Sequence, residues 1–451
     1  MAATKGKLIY KVYRALSYGL SPLLYLHLRW RVLRGLEHPS RWPERLGRPS
    51  HARPPGPLLW FHAVSLGEGL ATIPVIKQCI QRRPDLIVLM TTTTYSAFQV
   101  VKNCLPTGVI YQIDENISSI LLLAFAPLDT AASIDTFIEY WKPKVIILME
   151  SELWPNLILG ASQRGIDMAL LNARMSATSF KHWSIPVFLP LISFMLSKFS
   201  LILPLAIRFQ LLQASPLVIS FAGDLKFAVE NVGMSEEEIK KVEDLRAQLA
   251  HRQAWMASSI HKGEEEVILQ VHRMLLEAHP NLVTVIVPRH PQHGKEIALV
   301  GIDILSESHT IGMFWSLLAK SSDVISTCNI GELRYLYGIT SIAVVGGSFL
   351  PGLAGHNISE AAAAGCAVLT GPYVGHFSSM VAKMQQFNPM SVLQVHGKVD
   401  LGGAIKNLLK DDKVLEAHRM AAKQAQQALA SGIIVGTWNS LNSKVLRSAF
   451  G

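Results

Sequence analysis

From about residue 58 onward, short runs of wholly apolar residues alternate with amphipathic stretches. No other feature of the chain constrains its fold as strongly. Leu58-Leu-Trp-Phe-His62, Leu86–Thr91 and Lys144–Met149 read as strands, with helices at Ala71–Arg82 and Ser96–Leu105. Strands apolar on both faces belong to a parallel sheet covered by helices on each side. The pattern resumes after Asp224 with a charged helix at Ser235–His251, strands at Ala254–Ser259 and Val283–Val287, and a helix at Glu264–His279. A strand at Ile342–Val345, a helix at Ile358–Ala364 and a strand at Ala367–Leu369 follow. Two such series predict an α/β protein of two doubly wound domains. The 451 residues accommodate them at roughly 150 residues or more per domain. The division is expected at 36–218 and 219–451, with 1–35 as a separate anchoring or targeting segment. Ligands of open α/β sheets bind beyond the carboxyl ends of the strands, so the functional residues belong in the loops there.

Apolar residues make up 49% of the chain and charged residues 17%, which excludes disorder and fibrous repeats. Lys and Arg (42) outnumber Asp and Glu (33), for a net charge of +9, which suits an acidic partner such as a nucleotide, an anionic lipid or a nucleic acid without choosing among them. Cys79, Cys104, Cys328 and Cys366 lie far apart with no CxxC pair, so neither a zinc knuckle nor a disulfide framework is expected. At the N-terminus, Lys5, Lys7, Lys11 and Arg14 precede an apolar run from Leu16 to Leu28, and Arg29, Arg31 and Arg34 follow it. That run is shorter than the roughly 20 apolar residues a span needs. An interfacial helix on an anionic membrane surface fits it, and an acid-free, Arg-bearing start also suits an organellar transit peptide. A second apolar stretch, Ile185–Ile207, is interrupted by Pro186, Pro190 and Pro204 and reads as a buried helix followed by a core strand.

Four motifs carry chemistry. His62-Ala-Val-Ser-Leu-Gly-Glu-Gly69 places Glu68 on a turn after a strand. Ser65 and Glu68 have the spacing of a capping box, and the same carboxylate is placed to take a proton from an incoming hydroxyl. Ile147-Leu-Met-Glu-Ser-Glu-Leu-Trp-Pro-Asn156 carries Glu150 and Glu152. If Glu150 ends the strand and Glu152 opens the helix, the two point in different directions, and Glu152 gains from the helix dipole. Val287-Pro-Arg-His-Pro291 fixes Arg289 between prolines, a setting for phosphate. The glycine-rich run Gly346–Asn357 after a strand offers backbone N–H groups to an anion, while lacking the GxxxxGK[ST] and GxGxxG signatures. Asn357 and Glu360 also have capping spacing, and Glu360 is placed to accept from ribose hydroxyls.

These blocks, with Leu171-Asn-Ala-Arg-Met-Ser176, Gly223-Asp-Leu-Lys-Phe227, Gly331-Glu-Leu333, Gly355-His-Asn357 and Gly371-Pro372, stand in an order that resembles the 3-deoxy-D-manno-octulosonic acid (Kdo) transferases from about residue 8 to residue 430. The resemblance implies a GT-B glycosyltransferase, two Rossmann-like domains facing across a cleft, with an N-terminal membrane-anchoring helix. It implies an inverting transfer of Kdo from CMP-Kdo to a lipid A precursor, with no cofactor, no metal and no nucleic acid partner. By the same resemblance Glu68 is the proton acceptor, and Glu150 and Lys226 stabilise the transition state. Pro288 and Arg289, then Ile330, Gly331 and Glu332, then Asn357, Ile358, Ser359 and Glu360 bind the cytidine nucleotide. The chain departs from the bacterial pattern between Leu203 and Ala214, which is a few residues short, at Cys328-Asn329, and at Ile358-Ser359. Two other readings are a GT-B enzyme that transfers or epimerises another nucleotide sugar, and a non-catalytic membrane-associated nucleotide-sugar binder. The acid-free start and the drift from bacterial motifs favour a mitochondrion over a plastid or the cytoplasmic face of a bacterial inner membrane.

Overall fold

The computed structural model describes residues 2–105, 110–114, 117–205, 207–228, 239–240, 243, 247, 252–290 and 333–451. Most of the charged helix expected at Ser235–His251, together with Ile330, Gly331 and Glu332, lies outside the described residues. The chain forms two compact units, Met1–Val229 with Ser431–Gly451, and Glu230–Ala430.

Unit 1 is built on seven strands: β1 (Leu58–His62), β2 (Ile87–Thr92), β3 (Ile110–Asp114), β4 (Ile117–Phe125), β5 (Val145–Met149), β6 (Asp167–Ala173) and β7 (Leu201–Pro204). They lie in the order β3-β4-β2-β1-β5-β6-β7, parallel except for the β3–β4 pair. All five residues of β1 are buried because the strand is central and has helices over both faces. Trp60 stands beside Leu89 and Ile146 in the ladder and packs on Phe137, with ring centroids 4.5 Å apart. Helices start where short polar side chains cap them: Ser65 opens Leu66–Arg82, Thr94 opens Tyr95–Cys104 and Thr130 opens Ala131–Trp141. Each such cap is worth about 1 kcal/mol. The stretch Ile185–Ile207 forms the helix Leu189–Leu196 and the core strand β7, as its sequence predicts. The shortened segment after β7 still makes a helical turn, Arg208–Leu211, and Phe209, Leu212 and Ala214 enter the core.

The N-terminus departs from expectation. Two helices, α1 (Ala2–Gly19) and α2 (Ser21–Leu33), replace the single interfacial helix over Leu16–Leu28. Residues 1–35 are no separate segment, because α1 is part of the unit 1 core. Tyr10 is buried in that core, and Gly6 lies so close to Pro190 that a Cβ there would meet its carbonyl oxygen. Tyr13 donates to Asp129 at 3.0 Å, and Asn156 Nδ2 donates to Ser17 Oγ at 3.0 Å. Asp129 in turn accepts the Asn156 and Leu157 N–H groups and so caps the helix Pro155–Gln163. The chain end also returns to unit 1 from residue 431, where the sequence places everything after 218 in the second domain.

The described residues of unit 2 form five parallel strands, β8 (Ala254–Ile260), β9 (Val283–Pro288), β10 (Ile342–Val345), β11 (Ala367–Thr370) and β12 (Leu393–Gln394), in the order β12-β11-β10-β8-β9. The helices Glu265–Leu276 and Gly397–Lys410 bury Ile268, Leu275, Leu401 and Ile405 against it.

Candidate active site

Each sheet reverses its strand order once, between β1 and β5 in unit 1 and between β8 and β10 in unit 2. Connections leave the two neighbouring strands in opposite directions there, and a crevice opens at their carboxyl ends.

In unit 1, Glu68 stands in the first turn of α3 (Leu66–Arg82), just past the end of β1. Its Oε1 accepts from Ser65 Oγ at 2.8 Å and its Oε2 from the Val64 N–H at 2.9 Å, while Ser65 Oγ accepts the Glu68 N–H at 3.3 Å. The capping arrangement and the aimed carboxylate are therefore one structure: the cap fixes the side chain. Burial raises the Glu68 pKa, with Glu150 adding to the rise, while the Val64 and Ser65 hydrogen bonds and Lys226 oppose it.

Glu150 directly follows β5 with φ at +51°, the left-handed region that side chains disfavour. Its N–H donates to the Leu171 carbonyl at 2.9 Å, and its own carbonyl accepts from Arg174 at 3.3 Å. The side chain meets Lys226, with Oε1 2.6 Å from Nζ. Lys226 is placed from two sides: Asn172 Oδ1 accepts the Leu225 N–H at 2.9 Å, and Asp224 Oδ1 accepts the Lys226 N–H at 3.0 Å. Asn172 belongs to the Leu171–Ser176 block, and only its contact reveals what it does.

Glu152 does not open a helix, since the following helix starts at Pro155. The dipole explanation expected for it therefore fails. Its Oε2 accepts from Trp154 Nε1 at 2.5 Å and approaches His62 Nε2 at 3.8 Å. Burial, with a lesser push from Arg45, presses the His62 pKa down to about 3, so that approach is no ion pair at neutral pH. Burial also pushes the Glu152 carboxyl up to about 7, with Glu68 and Glu150 adding to the rise. Glu150 and Glu152 point to different partners, as their spacing suggests, Lys226 for one and Trp154 for the other.

In unit 2, Pro288 ends β9 and Arg289 is exposed beyond it, its N–H donating to the Ile260 carbonyl at 2.9 Å. The glycine-rich loop after β10 does not offer its N–H groups to an anion in the way its sequence suggests. Gly347, Ser348 and Phe349 donate instead to Glu264, at 2.7, 2.9 and 2.9 Å, and His261 donates to the same carboxylate at 2.9 Å. Glu264 is wholly buried, and no sequence pattern singled it out. Asn357 Oδ1 accepts from the Ser359 N–H at 3.0 Å and from Ser359 Oγ at 2.8 Å, where its spacing suggests a capping pair with Glu360. Ile358 and Ser359 are both buried. Among the described residues no group of three His, Cys, Asp or Glu side chains is arranged to hold a metal.

Residues 40–229 match the family model described as 3-deoxy-D-manno-octulosonic-acid transferase (kdotransferase). The probable mitochondrial 3-deoxy-D-manno-octulosonic acid transferase of Arabidopsis thaliana is 54% identical over 98% of this chain and 97% of that protein. The Haemophilus influenzae 3-deoxy-D-manno-octulosonic acid transferase is 31% identical over 90% of this chain and 91% of that one. Among solved structures, the C-terminal CMP-Kdo binding domain of WaaA from Acinetobacter baumannii is 23% identical, covering 45% of this chain and 99% of that domain at a TM-score of 0.30. With identity and coverage of that extent over nearly its whole length, this chain belongs to the Kdo transferase family of glycosyltransferases.

Proposed function

We propose that Glu68 is the general base with which this Kdo transferase activates its acceptor. The enzyme transfers Kdo from CMP-Kdo to a lipid A precursor and releases CMP. The observation that carries the base assignment is the Glu68 carboxylate itself, held by Ser65 and Val64 at the point where strand order reverses. A carboxylate whose pKa burial has raised holds a proton more firmly than an exposed one and is the better base while ionised. Glu68 removes the proton of the acceptor hydroxyl as its oxygen attacks the anomeric carbon of Kdo. The bond from that carbon to the phosphate oxygen breaks, and CMP departs with the electron pair. The Lys226 ammonium, fixed by Glu150, stabilises charge as it develops; a charge held in place needs no reorganisation during the reaction. In unit 2, Pro288, Arg289, Asn357, Ile358, Ser359 and Glu360, with Ile330, Gly331 and Glu332, bind the nucleotide.

The same reading places the protein on an anionic membrane surface in the mitochondrion. Among the described residues no helix is long and apolar enough to cross a membrane. The helix α2 nevertheless exposes Leu23, Leu26, Trp30 and Leu33, beside Arg29 and Arg34, the composition of a helix lying in the interface. The Arabidopsis relative, which carries a mitochondrial designation, supports the organelle.

Purified enzyme, CMP-Kdo and a tetra-acylated lipid A precursor test the catalytic reading by mass spectrometry. The expected product is the precursor carrying Kdo, formed by the wild type and lost in Glu68→Gln. A folded Glu68→Gln variant with unchanged turnover overturns the base assignment.

A further inference from the structure

The crevice of unit 2 holds two histidines that the reaction scheme leaves unused. His261 directly follows β8, and His356 lies in the loop after β10, so the two come from either side of the point where strand order reverses. Their Nε2 atoms are 2.7 Å apart, and the rings lie 12° from parallel with centroids separated by 5.0 Å. Two imidazole nitrogens at that distance share one proton, since two N–H groups would repel and two lone pairs could not bond. Without an added proton the pair is neutral.

The loops that carry both rings are tied down. Glu264 takes the His261 N–H together with the N–H groups of Gly347, Ser348 and Phe349, so one buried carboxylate ties down both loops. Gly347 has φ at +67°, and a Cβ there would lie 2.7 Å from His356 Cδ2, so the loop is shaped to the ring. Among the described residues, the charged and titratable neighbours include Arg289 and His290 after β9, Lys262 next in the chain and Glu264 beneath; the His290 ring stands edge-on to His261 at 5.9 Å. Burial, then Arg289, His261 and His290, press the His356 pKa down to about 4. Sharing one proton leaves the pair uncharged, and a bound anion favours uptake of a second, because an opposite charge stabilises the protonated imidazole.

We propose that His261 and His356 together seat an oxyanion of the donor nucleotide and take up one proton as it binds. This rests on the reading that unit 2 binds CMP-Kdo. The neutral pair keeps the empty crevice from accumulating positive charge beside Arg289. Once protonated, it gives the anion a second cation on a rigid support.

The donor carries two oxyanions, the phosphodiester and the sugar carboxylate, and three probes separate them. Cytidine has neither, cytidine 5′-methylphosphate has only the phosphodiester and does not itself titrate near neutrality, and CMP-Kdo has both. Calorimetry of the full-length enzyme at pH 7.5, in buffers of different ionisation enthalpy, reads the protons taken up. The expected result is uptake of about one proton with the methylphosphate or only with CMP-Kdo, which names the anion, and none with cytidine. His356→Gln and His261→Gln should each abolish the uptake and weaken the anionic ligand about tenfold, leaving cytidine within about twofold. Binding of CMP-Kdo by the wild type without proton uptake overturns the proposal and leaves the donor reading intact. So does uptake that survives in both variants. Absence of any cytidine-nucleotide binding overturns both.

Discussion

The two sheets reverse direction at equivalent places, and chemistry of opposite sign has been built on them. In unit 1 the loops after β1 and β5 bring three carboxylates, Glu68, Glu150 and Glu152, into one another's field, with Lys226 paired to one of them. In unit 2 the loops after β8, β9 and β10 bring together His261, Arg289, His290 and His356. Glu264, a carboxylate at that second point, is turned inward and accepts from four backbone N–H groups. The strand reversal is shared, and the side chains on it differ: carboxylates in unit 1, histidines and an arginine in unit 2. A repeated fold element therefore supplies position, and its loops supply function.

Breaking the support of one crevice and sparing the other is the strongest test of that division. Deleting residues 1–35 removes Tyr10 from the unit 1 core, and removes Ser17 and Tyr13 from Asn156 and Asp129 at the base of the loop that carries Glu150. The expected outcome is complete loss of transfer with CMP binding retained; a truncated enzyme that keeps its turnover would show α1 to be dispensable. Next in size, Glu68→Gln should lower kcat by about 10²–10⁴-fold, the range for loss of a general base, with CMP affinity unchanged in calorimetry. Glu264→Gln aims a new N–H donor at a cluster of donors and should destabilise unit 2 by about 3 kcal/mol in denaturant titration, with unit 1 unaffected. Arg289→Ala should weaken CMP by about 1.5–3 kcal/mol, and Arg289→Lys should recover only part, because an ammonium cannot reproduce the planar fork.

The smallest effect concerns pH. The Glu152 carboxyl titrates at about 7 in the folded protein, mainly through burial. As pH rises above the ordinary carboxylate range of about 4.3, the unfolded chain gives up this proton first, so the folded state loses stability until about pH 7. Glu152→Gln removes that penalty while keeping an acceptor for Trp154. It should match the wild type at pH 4 and exceed it at pH 8 in thermal melts. Equal stability of the two proteins at pH 8 would show that Glu152 ionises without cost.

Much of the frame was legible residue by residue. The strand Ile342–Val345 falls where its apolar run predicts, and Ser65 caps a helix as its spacing with Glu68 suggests, whereas the helix Ala131–Trp141 and its Thr130 cap were not foreseen. The antiparallel pair β3–β4 was not foreseen, and the thirty-residue helix Asp412–Leu441 was not marked as one element. Within the site, Glu68 stood out because its turn is local. Glu264, Asn172 and His261 did not, because nothing in their own neighbourhoods announces the partners they meet.

The sequence by itself determined the α/β class, the two βα series, the turn that carries Glu68 and the family to which the chain belongs. These depend on apolar periodicity, caps and motif order, which act over a few residues. Only the tertiary structure decided that α1 is core, that the glycine-rich loop spends its N–H groups on Glu264, that Lys226 is set by Asn172 and Asp224, and that His261 meets His356. Each of these joins residues brought together by strand order or by a turn of the chain, and satisfying a buried polar group or close-packing a core is a condition on the whole fold.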